Sequence, residues 1–212
     1  MKLLLTSAGI TKRTIAETLA ELVGKSPGET KVAFIPTAAN IEGGNKDWLV
    51  NQFLNLWRFG YNWIDVVDPT AAGVNWQSRL QEVDVIFLSG GNTFHLLDQC
   101  RKTGLDKWLN ENLEGKVYVG GSASSIIATP TIEVASIPPG DENLSGITDL
   151  TGFQWVNFEI EPHCTTDRFA VVEKYASKKS YPVYAIDDQT AIKVVDNKAE
   201  VVSEGSWQVF NS

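Results

Sequence analysis

At 212 residues the chain can bury the core of one ordinary domain. Apolar residues make up 43% and charged residues 21%, the balance of a folded globular protein rather than a disordered one. The formal net charge of −8, with no Lys or Arg run, excludes the basic face of a nucleic-acid binder.

The chain opens on Leu3-Leu4-Leu5, an apolar run too short for a secretory leader and broken by Gly9 and Lys12-Arg13. It reads as a first buried strand over 2–6. Helical spacing of Ile15, Leu19, Leu22 and Val23 predicts a helix over 14–23, followed by a loop containing Pro27-Gly28. A second strand over 31–35 closes at Pro36. Trp48, Leu49, Phe53, Leu56 and Trp57 predict a helix over 48–59 that ends before Gly60. A third strand falls at 63–67 and a short helix at 76–82. The fourth strand, 84–88, runs into Ser89-Gly90-Gly91-Asn92. Helical pieces begin at 94–100 and span 105–113, and a fifth strand, 117–119, stops at Gly120-Gly121-Ser122. Beyond Pro130 the texture changes. Residues 137–152 form a long loop rich in Pro, Gly, Asp and Ser, of the kind that is often functional. A strand over 156–160, a helix over 167–178 and strands at 183–186, 191–195 and 200–202 follow. The turn Asp196-Asn197-Lys198 makes a C-terminal β-hairpin, and Trp207 to Phe210 closes the chain.

Continuous apolar strands separated by helices mean an α/β fold: a mostly parallel sheet with helices on both faces, as one domain over 1–212. Ligands in such sheets bind at the carboxyl ends of the strands, where both glycine turns fall. They lie close together if the fourth and fifth strands are neighbours. No apolar stretch is long enough to span a membrane, and Cys100 and Cys164 give neither a disulfide framework nor metal-ligand spacing. A cytoplasmic protein without nucleic-acid or membrane partners is expected, as a monomer or homodimer.

The passage from strand to Gly120-Gly121-Ser122-Ala123-Ser124 reads as a nucleophile elbow, with Ser122 at the apex. Glycines flank such turns because the backbone torsions resist side chains. The departure is Ser124, where Gly-x-Ser-x-Gly expects a second glycine. An ordinary strand-to-helix loop with a capping serine fits the same letters. A serine needs a base, and the two histidines are His95 and His163. His95 falls early in a helix. His163 follows a strand and Pro162 and comes after the serine, the chain order of α/β-hydrolases. Cys164 points away from His163 in an extended segment, so a Cys-His thiol site is disfavoured. The N–H groups of Gly91 and Ala123 are candidates for an oxyanion hole.

Phe87-Leu88-Ser89-Gly90-Gly91-Asn92-Thr93-Phe94, Gly120-Gly121-Ser122-Ala123 with Pro130-Thr131-Ile132, and Glu161-Pro162-His163 together resemble the peptidase E family of serine peptidases, which includes aspartyl dipeptidase and cyanophycinase. The resemblance extends over nearly the whole chain, from Lys31 to the closing segment that contains Ala185-Ile186-Asp187-Asp188. It implies a flavodoxin-like, class I glutamine amidotransferase-like fold, with Ser122 and His163 catalytic and no cofactor or metal. It also implies hydrolysis of small peptides, with an N-terminal aspartate as one possible preference. Aspartyl dipeptidase has an aspartate between serine and histidine, but a gap-free count puts Ile137 there. Glu133 is the substitute chosen, with Asp141, Glu142, Glu161 and Asp187 as further options. Asn92, and Arg168 as the cation for a substrate carboxylate, are the substrate-binding candidates. An esterase or amidase on the same scaffold and a catalytically silent binding protein are the rival readings.

Overall fold

The computed structural model describes residues 1–211. The described residues form ten strands, β1 Lys2–Thr6, β2 Lys31–Ile35, β3 Trp63–Val66, β4 Val85–Leu88, β5 Val117–Gly121, β6 Glu159–Glu161, β7 Val183–Ile186, β8 Thr190–Val195, β9 Lys198–Ser203 and β10 Trp207–Phe210, and seven α-helices. The helices are α1 Arg13–Val23, α2 Asp47–Arg58, α3 Trp76–Gln81, α4 Thr93–Thr103, α5 Leu105–Asn112, α6 Ala123–Ile126 and α7 Thr166–Ala176.

Seven strands form the main sheet in the order β3-β2-β4-β5-β1-β8-β9. The first five named are mutually parallel, and the β8–β9 hairpin joins antiparallel at the side of β1. Alternation along each strand feeds two cores. Leu4, Val85, Phe87, Val117 and Val119 point to the face covered by α1 and α2, where Ile15, Leu19 and Leu56 are fully buried. Leu3, Leu5, Ile86, Leu88 and Tyr118 point to the face of α3, α4 and α5, against Leu80, Leu96 and Leu109. Each fully buried leucine contributes about 1.5–3 kcal/mol, so this two-sided burial is what fixes the strand register. As the apolar runs imply, β4 and β5 are neighbours, with Leu88 paired to Gly120, and the two glycine turns meet at one sheet end.

A second sheet, β10-β7-β6, stands apart from the first. The apolar alternation at 156–160 predicts a strand there, but only Glu159–Glu161 pairs. The preceding backbone is committed elsewhere: the N–H groups of Gly152, Phe153, Gln154 and Trp155 donate to carbonyls of residues 127–130. Val156 and Phe158 are therefore buried from irregular chain rather than from a ladder. The helix after the elbow, α6, is a single turn that ends at Ile126. No helix among the described residues is long and apolar enough to cross a membrane.

Candidate active site

β5 delivers Ser122 into a turn with φ 53° and ψ −112°, sparsely populated for any residue with a side chain and costing about 1–3 kcal/mol. The surroundings over-determine it. Ser122 N–H donates to the Thr6 carbonyl at 3.0 Å, and the Ser125 hydroxyl donates to the same oxygen at 2.8 Å. Gly120 is required by contact, since a Cβ there would lie 2.8 Å from the Ser125 nitrogen. Ser124, standing where the motif has its second glycine, is fully buried within the turn. Its Oγ accepts from Gly121 N–H at 2.7 Å and donates to the Leu88 carbonyl, tying the elbow to β4.

His163 follows β6, and its backbone is left-handed at φ 57°. Its Nε2 lies 2.8 Å from Ser122 Oγ and its Nδ1 2.6 Å from Asp188 Oδ1. A carboxylate at Nδ1 places the ring proton there and leaves the Nε2 lone pair facing the serine hydroxyl. Asp188 sits in the connection from β7 to β8, its own carbonyl accepting from Thr11 Oγ1 at 2.6 Å. The hydrogen bond and charge of His163, with a further hydrogen bond from Ser7, hold the Asp188 carboxyl below its usual range. Side-chain exposure is 50% for His163 and 59% for Asp188.

Asp188 therefore occupies the position for which the sequence offered Glu133. Glu133 lies in a 3-10 turn, more than half exposed, and its carboxylate accepts from Lys179 Nζ at 2.6 Å. Among the other options, Asp187 caps the turn into β8 by accepting from Gln189 N–H and Thr190 Oγ1. Asp141 accepts from Thr93 N–H at the start of α4, and the Glu142 carbonyl accepts from Asn92. In sequence Asp188 looks no different from its neighbour Asp187, and only the fold turns one of the two toward His163. The available signal was an Asp pair at the carboxyl end of a strand.

Arg168 is brought to the cleft but is not free. Its Nε donates to Glu161 Oε1 at 2.7 Å, Nη2 donates to Glu161 and to the Ile137 carbonyl, and Nη1 donates to the Pro138 carbonyl. Burial pushes the Glu161 carboxyl up to about 7 against the pull of Arg168. Asn92 is likewise occupied: Oδ1 caps α4 by accepting from His95 N–H, and Nδ2 donates to the Glu142 carbonyl. In the structure the two side chains fasten the loop over 137–152. Cys164 is buried, its N–H donating to the Ile186 carbonyl and its Sγ–H to the Glu161 carbonyl at 3.4 Å.

Two clefts meet at Ser122, His163 and Asp141. One, about 560 Å³, has an apolar wall of Ile126, Val134, Ala135, Pro138, Pro139 and Val171. The other, about 710 Å³, is more polar than the first, with Thr11, Asn51, Gln52, Asn55 and Arg58 beside Trp48. Gly91 lines the second, at φ 135°, where a Cβ would fall 2.7 Å from the Ala39 nitrogen and closer still to Ala38. Ala123 is the first residue of α6, so its N–H has no carbonyl one turn back. Among the described residues no three of His, Cys, Asp or Glu gather as metal ligands would.

A family model described as peptidase family S51 matches residues 3–202. An uncharacterised peptidase of Pasteurella multocida is 29% identical over 180 residues, 81% of this chain and 84% of that protein. Peptidase E of Escherichia coli is 36% identical over 104 residues, 47% of this chain and 39% of that protein. A crystal structure of a Listeria monocytogenes protein, provisionally described as a peptidase E, matches with a TM-score of 0.81 at 25% identity. That match covers 96% of this chain and 98% of that one.

Proposed function

The chain belongs to peptidase family S51 and is a serine-type peptidase, and on that premise we propose that it cleaves short peptides through an acyl-enzyme on Ser122. The observation that carries the reading is the continuous line Ser122 Oγ–His163 Nε2–Nδ1–Asp188 Oδ1, at 2.8 and 2.6 Å. Ser122 Oγ attacks the scissile carbonyl carbon as its proton passes to Nε2. Asp188 stabilises the imidazolium and holds the ring. The N–H groups of Gly91 and Ala123 receive the developing oxyanion. The C–N bond breaks, Nε2–H protonates the departing amine, and water repeats the sequence to release the acid.

A peptide lying across the junction of the two clefts puts one side chain against the apolar wall and the remainder among the polar groups. Preference for an N-terminal aspartate finds little support in Arg168, four of whose five N–H donors are engaged within the protein. The two cysteines are buried and unpaired, which fits a reducing cytoplasmic location.

A fluorophosphonate probe and a dipeptide panel test the proposal. Stoichiometric labelling of Ser122 with turnover of dipeptides supports it. Labelling with turnover of esters alone favours an esterase, and no labelling at all indicates a silent binder.

A further inference from the structure

Ser7 belongs to neither the elbow nor the loops that carry His163 and Asp188, yet it touches two of the three reacting groups. It lies just beyond the carboxyl end of β1 and is fully buried. Its Oγ is 2.8 Å from Asp188 Oδ1 and 2.8 Å from the His163 backbone nitrogen. The proton direction is fixed by the partners. A carboxylate oxygen only accepts and a backbone N–H only donates, so the hydroxyl proton points at Asp188 and an oxygen lone pair receives His163 N–H. The 3.5 Å from Ser7 Oγ to His163 Nδ1 is too long to compete with Asp188 at 2.6 Å.

We propose that Ser7 is a positioning residue of the catalytic site, one hydroxyl that aims the Asp188 carboxylate at Nδ1 and pins the backbone of His163. The proposal rests on the reading of Ser122, His163 and Asp188 as the reacting groups. His163 has a left-handed backbone, a conformation that persists only where neighbours impose it, and Ser7 supplies one such restraint. Asp188 Oδ1 receives both the Ser7 hydroxyl and His163 Nδ1, so the carboxylate is held from two directions. The preceding residue serves the other half of the site: the Thr6 carbonyl takes the Ser122 N–H and the Ser125 hydroxyl. Two consecutive residues of β1 and its end thus set the distance between nucleophile and base.

The test compares Ser7→Ala, Ser7→Cys and Ser122→Ala, with rates normalised to sites titrated by the phosphonate and folding followed by circular dichroism. Ser7→Ala should lower kcat about 10- to 100-fold, the scale of a small misplacement of reacting groups, with KM little changed. The acid limb of its pH profile should move up by roughly half a pH unit, because Asp188 no longer shares its charge with the hydroxyl. Ser7→Cys, a weaker donor of similar size, should fall between wild type and Ser7→Ala. Folded Ser7→Ala with wild-type kcat and acid limb overturns the proposal. If Ser7→Ala does not fold, Ser7→Cys decides, and a wild-type kcat and limb there overturn it as well. Activity surviving in Ser122→Ala would instead bring down the reading of the nucleophile, a result the Ser7 variants cannot imitate.

Discussion

The elbow and the arm that faces it hold their reacting groups in different ways. Gly120, Gly121, Ala123, Ser124 and Ser125 are all buried, and the main sheet fixes Ser122 through its own backbone. His163 and Asp188 stand half exposed on loops beside the smaller sheet, and side-chain hydrogen bonds orient them. Ser122 is thus set by strand register. His163 is set by a few polar contacts, each of which a single substitution can remove.

The largest effect expected is at the rigid side. Ser122→Ala should abolish phosphonate labelling and lower kcat at least about 10⁴-fold with the fold intact, since triad members act as a unit. Labelling that persists on another serine would remove the elbow from the comparison. On the arm, Asp188→Asn should cost about 10³–10⁴-fold in kcat by disfavouring the tautomer with its proton on Nδ1. Glu133→Gln, which loosens only a partly exposed pair with Lys179, should leave kcat within about twofold. Reversal of those two results would return Glu133 to the site.

A smaller effect lies in stability. Glu161, beneath the arm, has its carboxyl raised from 4.5 to about 7 by burial. The neutral form is favoured in the folded chain, so this stability is fully present below about pH 4.5 and is lost as pH rises through about 7. The gap corresponds to at most about 3 kcal/mol. Urea unfolding should show lower stability at pH 8 than at pH 5, and Glu161→Gln should flatten that slope; an unchanged slope would exclude Glu161 as its source. The smallest effect concerns substrate. With Arg168 held by Glu161, kcat/KM for an aspartyl dipeptide and its asparaginyl match should agree within about threefold. A ratio near a hundred would mean that the arm opens to release the guanidinium.

The same contrast explains what could be read from the sequence. The main sheet and the elbow announce themselves through continuous apolar runs and Gly120-Gly121-Ser122, because burial and tight turns constrain residue type locally. His163 was legible from its place after Pro162 at a strand end. Ser7 was not, because nothing local distinguishes a hydroxyl that works on a residue far along the chain, and for Asp188 the Asp pair at a strand end does not say which carboxylate faces the histidine. Arg168 and Asn92 looked like ligand groups for the converse reason: sequence shows a donor but not the carbonyls and carboxylate that already occupy it. The second sheet was equally hidden, since strand length and composition do not say which sheet a short strand joins.

The place of β1 has a consequence for biosynthesis. It lies between β5 and β8, and Ser7 meets Asp188 across 181 positions of sequence. A strand that leaves the ribosome early must wait for partners that emerge much later. Contacts of such separation close slowly and late in folding. On the proposed assignment, a nascent chain with a formed elbow lacks the carboxylate that orients His163 until synthesis has passed Asp188.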